Sequence, residues 1–145
     1  MTTIAASTTA LLPPPVARPR AARLGLAVLQ GLLAAIFLFS ASGKLTLDPT
    51  VVAGFAAMGF STTGTVVIGV LELLGGVGLL VPRLSGIASW ALVGLMVGAT
   101  LATVLVVGGA MVAVPAVTLV LVATVALVRR HEVAALAREV RGLVG

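Results

Sequence analysis

Four long stretches of this chain are almost wholly apolar: Leu24 to Ser42, Thr65 to Val81, Ile87 to Val107 and Met111 to Val128. Each matches the roughly 17 to 25 residues that an α-helix needs to cross about 30 Å of hydrocarbon. Apolar positions occupy every face of these stretches and not one stripe, the pattern expected where lipid is the solvent. Backbone polar groups find no water at that depth, so the stretches are predicted to be helical throughout. The pattern predicts an all-α integral membrane protein.

Polar and turn-forming residues separate the stretches. Between the first two lies a longer loop in which Asp48-Pro49 reads as a helix cap and first turn, and Gly59 as a stop. A short helix, Pro49 to Met58, is therefore expected. Its apolar positions Val51, Val52, Phe55 and Met58 recur at helical spacing, so it should lie flat at the outer interface over the mouth of the helices. The other two connections are short, Pro82 to Gly86 and Val107 to Ala110. Short connections make consecutive helices antiparallel neighbours, which predicts a four-helix bundle running up, down, up and down. Pro115 falls in the first turns of the fourth helix, where a missing amide costs least.

One membrane domain over residues 24–130 then accounts for the chain, flanked by two tails. Residues 1–23 are rich in Thr, Ala, Ser and Pro and read as a disordered basic tail. Residues 131–145 place Val133, Leu136, Val140 and Leu143 on one side, an amphipathic pattern suited to the inner surface. A cleaved secretory signal is set aside, because the first apolar stretch is longer than a signal's apolar region and the tail ahead of it is long.

Charge supplies the orientation. Arg18, Arg20, Arg23, Arg83, Arg129, Arg130, Arg138 and Arg141 all fall on one side of such a bundle, and Lys44 alone on the other. By the positive-inside rule both termini are expected in the cytoplasm. The net charge of +5 is thus a topology signal with a secondary attraction to lipid headgroups, and calls for no nucleic acid. The Ala, Val, Gly and Arg bias suggests a GC-rich bacterial genome, and hence a bacterial cytoplasmic (inner) membrane. Composition agrees: 60% of residues are hydrophobic, 9% are charged, and the mean hydropathy is +1.27.

Candidate chemistry is sparse. The chain has no cysteine and one histidine, His131 in the C-terminal tail, which excludes a disulfide relay, thiolate-held iron or zinc, and bis-histidine haem for the chain alone. No metal site and no catalytic residue is expected, and no nucleophile lies at a common depth with a base. The informative residue is Glu72, the one charge within the four stretches. A buried carboxylate must be paired, bonded or neutral, so it is a functional candidate that should face other helices. Gly69, Gly75 and Gly76 share its face and are read as packing positions, as are Gly94, Gly98 and Ala102 at every fourth position of the third stretch. The latter set suits either a neighbour in the chain or a second copy, a homo-oligomer.

Counting about 1.5 Å per residue from the midpoint of each stretch puts Gln30, Thr100 and Thr118 near the level of Glu72 and makes them its natural partners. The same count puts Lys44 about 15 Å nearer the outer surface, out of direct reach unless helices shift or tilt, with Ser40 and Ser42 left to bridge through water. With neutral partners only, Glu72 is expected to be largely protonated at neutral pH.

Phe39-Ser40-Ala41-Ser42-Gly43-Lys44-Leu45, the loop ending Phe55 to Gly59, and Gly69-Val70-Leu71-Glu72-Leu73-Leu74-Gly75-Gly76 followed by Leu79-Leu80-Val81-Pro82 together resemble the DoxX / DoxX-like family, over about Leu24 to Arg130. The resemblance implies a four-helix inner-membrane protein, with Lys44 and Glu72 as the family's polar motif residues. The family takes its name from a subunit of a thiosulfate to quinone oxidoreductase, and some relatives accompany soluble partners in membrane redox complexes. The expectation is a non-catalytic accessory or anchor subunit in contact with membrane lipids and a soluble or membrane redox partner. No cofactor is evident, and a quinone or lipid pocket is the one the resemblance leaves room for. The competing expectation is a small proton-coupled carrier or conduit working through Glu72.

Overall fold

A computed structural model describes residues 20–108, 111–130, and further on 133, 138 and 142. Five helices are present among these residues: α1 (Arg20–Leu45), α2 (Pro49–Ala57), α3 (Thr62–Leu80), α4 (Ser85–Val106) and α5 (Ala113–Val128). The fold is all-helical, as expected. Among the described residues Arg20 to Arg23 are already helical, as part of α1. The tail up to residue 19, His131 and nearly all of the amphipathic C-terminal segment lie outside the described residues.

Three helices are long and apolar enough to cross a membrane: α1, with 26 residues, α3, with 19, and α4, with 22. The fourth stretch forms a shorter apolar helix of 16 residues, because the chain turns at Gly108 with φ of 81° and α5 starts only at Ala113. Pro115 is indeed in its first turn.

Packing follows the chain. Helix α1 makes its most extensive contact with α3, α3 meets α4, α4 meets α5, and α5 returns to α1. Buried Leu33, Ala34, Phe37, Leu79, Leu92, Met96, Val122 and Val125 fill the centre. Leu24, Val28, Leu32, Ile36 and Phe39 form an outward stripe on α1 that is as apolar as the core, and α3, α4 and α5 carry similar outer faces. Such surfaces suit acyl chains or another apolar helix, not water. The buried hydroxyls of Ser85 and Ser89 donate to carbonyls one turn back, Pro82 at 3.0 Å and Gly86 at 2.8 Å, so they need nothing from lipid.

Helix α2 forms as its cap predicts. The Asp48 carboxylate accepts from the amides of Thr50 at 2.9 Å and Val51 at 3.2 Å, with Pro49 in the first turn. Val51, Val52, Phe55 and Met58 are half-buried, whereas Ala53, Gly54, Ala56 and Ala57 are exposed. Gly59, at φ of 84°, reverses the chain into α3, whose Ser61 caps Gly64 at 3.1 Å. Since α2 buries no residue fully, its cap carries an unusual share of its stability. Asp48→Ala is expected to destabilise it by about 1 kcal/mol, read as faster amide exchange confined to residues 49–58.

Candidate functional site: a buried ion pair between two cavities

The close approach of α1 and α3 is set by glycines. A Cβ on Gly69 would stand 2.9 Å from Lys44 Cβ, and one on Gly76 would stand 3.3 Å from Phe37 Cβ. These two contacts define an antiparallel register in which the middle of α3 lies level with Ala41 and Ser42, not with Leu33. The helices are therefore staggered by about nine residues, or ~14 Å, relative to an alignment of their midpoints.

That stagger brings Lys44 and Glu72 together. Glu72 is three residues beyond Gly69, about 4.5 Å deeper than the Lys44 backbone. Helical side chains lean toward their own N-terminus, so in an antiparallel pair the lysine leans inward and the glutamate leans outward. Lys44 Nζ donates to Glu72 Oε2 at 2.8 Å. It also donates to Ser40 Oγ at 2.7 Å and to Ser40 O at 3.4 Å, one turn back on α1. Lys44 is 6% exposed and Glu72 is 4% exposed, so the pair is desolvated. Its position in the last turn of α1 adds a favourable helix dipole for the cation. The ring of Phe55 on α2 covers the ammonium, with its centroid 5.2 Å from Nζ, and Phe60 packs on Phe55 at 5.7 Å.

Direct pairing replaces the arrangement expected from depth counting. Glu72 faces a cation and not only neutral partners. Ser40 accepts directly from Lys44, while Ser42 turns to Phe39 O at 2.7 Å. Gln30 is not at this level: its Nε2 donates to Leu79 O at 3.5 Å, and its Oε1 accepts from Arg129 Nη2 at 2.8 Å. This second polar node ties α1, α3 and the end of α5. Arg129 entered the sequence reading only as an orienting charge, because nothing in its spacing to Gln30, 99 residues away, signals a contact. Thr100 donates to Met96 O at 2.7 Å and Thr118 to Val114 O at 2.9 Å, each within its own helix.

The glycines divide likewise. Gly69, Gly75 and Gly76 are buried against Lys44, Leu92 and Phe37. Gly78, which the reading passed over, faces Ala88, whose Cβ would be 2.7 Å from a new Cβ. Gly94 and Gly98 meet nothing within 4 Å of where a Cβ would stand. Together with Ala102 they line an apolar cavity of about 380 Å³ between α2, α3 and α4, walled also by Phe55, Met58, Phe60 and Glu72. On the other side of the ion pair lies a wider and more polar cavity of about 780 Å³, with Ser40, Ser42, Lys44, Asp48 and Thr50 on its walls. Phe55 and Met58 border both, so α2 is the partition and the ion pair stands at its foot. Among the described residues no cluster of His, Cys, Asp and Glu suited to a metal ion occurs.

Comparison with known proteins adds one finding. A model of the DoxX-like family matches residues 28–125, a segment that contains the whole ion-pair site and both cavities' walls but stops short of Arg129. No curated protein and no solved structure matches the chain. With two thirds of its length matched, and with three helices fit to cross a bilayer, this small integral membrane protein belongs to the DoxX-like family.

Proposed function

We propose that the chain is a non-catalytic accessory or anchor subunit of a membrane-bound redox complex, and that it holds an apolar small molecule, a quinone or a lipid, in the cavity beside Glu72. The observation that carries this reading is the cavity itself: about 380 Å³, the lower range of small-molecule sites, apolar except at the buried acid Glu72 and the Thr103 hydroxyl. Gly94 and Gly98, exposed on α4, leave the space beside Glu72 open. In the same proposal α5 completes an up-down-up-down bundle as a fourth crossing. Both termini lie on the cytoplasmic face of a bacterial inner membrane, where the arginines favour them.

A second reading, a small proton-coupled carrier, is favoured by the two cavities that meet at one ion pair, since a buried charge with space on both sides is what a proton-coupled site needs. The choice is tested by purification from native membranes in mild detergent, organic extraction and mass spectrometry. The accessory reading expects a stoichiometric apolar molecule other than bulk phospholipid, lost from Gly98→Leu because the new side chain projects into the cavity. Extraction of bulk phospholipid alone from both proteins would remove it and leave the carrier.

A further inference from the structure

The cavity beside Glu72 has a chemical polarity as well as a size. Its lining carries two polar side chains, Glu72 and Thr103. The Thr103 hydroxyl donates its proton to Ala99 O at 2.8 Å, which leaves Oγ1 with acceptor capacity only. Glu72 receives its bond from Lys44 on Oε2, and among the described residues no donor reaches Oε1. Lys44 has three N–H groups, and its contacts to Glu72 Oε2, Ser40 Oγ and Ser40 O engage all three. The remaining lining is Phe, Met, Ile, Leu, Ala and Gly within or beside helices whose backbone amides are already bonded. Every polar atom this wall can offer a guest is therefore an acceptor.

We propose that this cavity is a binding site for a hydroxylated aromatic molecule of the phenol class, with its O–H donating to Glu72 Oε1 and its ring against the flat face of Gly94 and Gly98. The inference rests on the reading that the cavity holds an apolar small molecule, and it narrows which one. The aromatic part follows from the walls: Phe55 and Phe60 present ring edges and faces, Met58 and Met96 present polarizable sulfur, and the two glycines admit a plane that branched side chains would block. The donor follows from the acceptor-only wall. A guest whose polar atoms are all carbonyl or ether oxygens would bury them unsatisfied, and a carboxylate accepts a phenolic O–H more strongly than a neutral group does. Of the two oxidation states of a quinone, the reduced, hydroxyl-bearing one suits this wall, and the oxidised one, an acceptor alone, does not.

The test compares 2-naphthol with 2-methoxynaphthalene, which share a ring system and differ in the donor proton. Binding is measured on the purified full chain in lipid nanodiscs, with partition into protein-free nanodiscs subtracted. Saturable binding of the naphthol, about tenfold or more tighter than the methyl ether, is expected. Gly98→Leu should abolish it, and Thr103→Val should preserve the preference because Glu72 is the acceptor. Equal affinity for the two probes overturns the donor rule while leaving an apolar site in place. Loss of the preference in Thr103→Val overturns the assignment to Glu72. Binding of neither probe above the protein-free discs overturns both this inference and the reading on which it rests.

Discussion

Lys44→Met should cost this protein about 3–5 kcal/mol of stability, a large share of a margin of about 5–15 kcal/mol, because it leaves the Glu72 carboxylate buried with no counter-charge. The argument turns on desolvation. At 4% exposure Glu72 has lost nearly all contact with solvent, and the 2.8 Å bond from Lys44 is what offsets that loss. Ser40 cannot substitute, since its hydroxyl sits on the lysine side and no bond from it to Glu72 is present. Removing both charges is a different experiment. Lys44→Met with Glu72→Met replaces the pair by side chains of similar length, and exchanges of this kind are often neutral or stabilising by about 1–4 kcal/mol. The double variant is thus expected to recover the fold that the single variant loses. Unfolding can be followed by fluorescence of Trp90, the single tryptophan, which lies on α4. If Lys44→Met unfolds at the same point as the parent, the acid is neutral or hydrated and the ion pair is not what holds α1 against α3.

The same result bears on function. Recovery in the double variant would mean that the pair is not needed for stability, and the two cavities beside it are where any other role would lie. Ser40 and Lys44 face the wider, more polar cavity, Glu72 faces the apolar one, and Phe55 borders both. If the apolar cavity holds a small molecule as proposed, a charge pair at its edge would give it a fixed polar end, and such an end supplies orientation and selectivity to a small apolar site.

How much of this was legible in the sequence differs element by element, and the differences have physical causes. The Asp48-Pro49 cap and the Gly59 stop are local: their meaning depends on residues within one turn, so α2 appeared where the chain predicts it. The apolar stretches were equally legible, since lipid imposes length and composition directly. What the sequence did not carry was the stagger between α1 and α3. Counting depth from midpoints assumes that each helix is centred on one plane, and α1 runs well past the end of α3 at its own N-terminus. The error moved Lys44 out of reach of Glu72 and brought Gln30 to its level, when Gln30 in fact lies by Leu79 and Arg129. A signal for the true register was present in Gly69 and Gly76, whose close approaches set it, but glycine spacing names a face and not the partner that occupies it. For the same reason the spacing of Gly94 and Gly98 does not say whether they pack within the chain or against a second copy, and within the chain they border open space.

That contrast between two kinds of glycine gives the second large effect, and the two kinds should respond to the same substitution with opposite signs. At Gly78 an added Cβ would stand 2.7 Å from the Cβ of Ala88. Neither atom can rotate away, since a Cβ is fixed by its backbone, so α3 and α4 must separate. Gly78→Ala is expected to destabilise by about 1–3 kcal/mol, the usual range for overpacking a close contact. This outweighs the gain of up to about 1 kcal/mol from replacing a helical glycine by alanine. At Gly98 nothing lies within 4 Å of the new atom, so Gly98→Ala keeps the propensity gain and should stabilise slightly. Ala88→Gly in the Gly78→Ala background removes the opposing methyl and should restore most of the loss, a reciprocity that a general effect on helix propensity would not produce. Denaturant titration of the four proteins in one detergent, read at Trp90, separates these outcomes. A stabilising Gly78→Ala would mean that α3 and α4 do not approach as described, and the wall of the Glu72 cavity that depends on their contact would have to be redrawn.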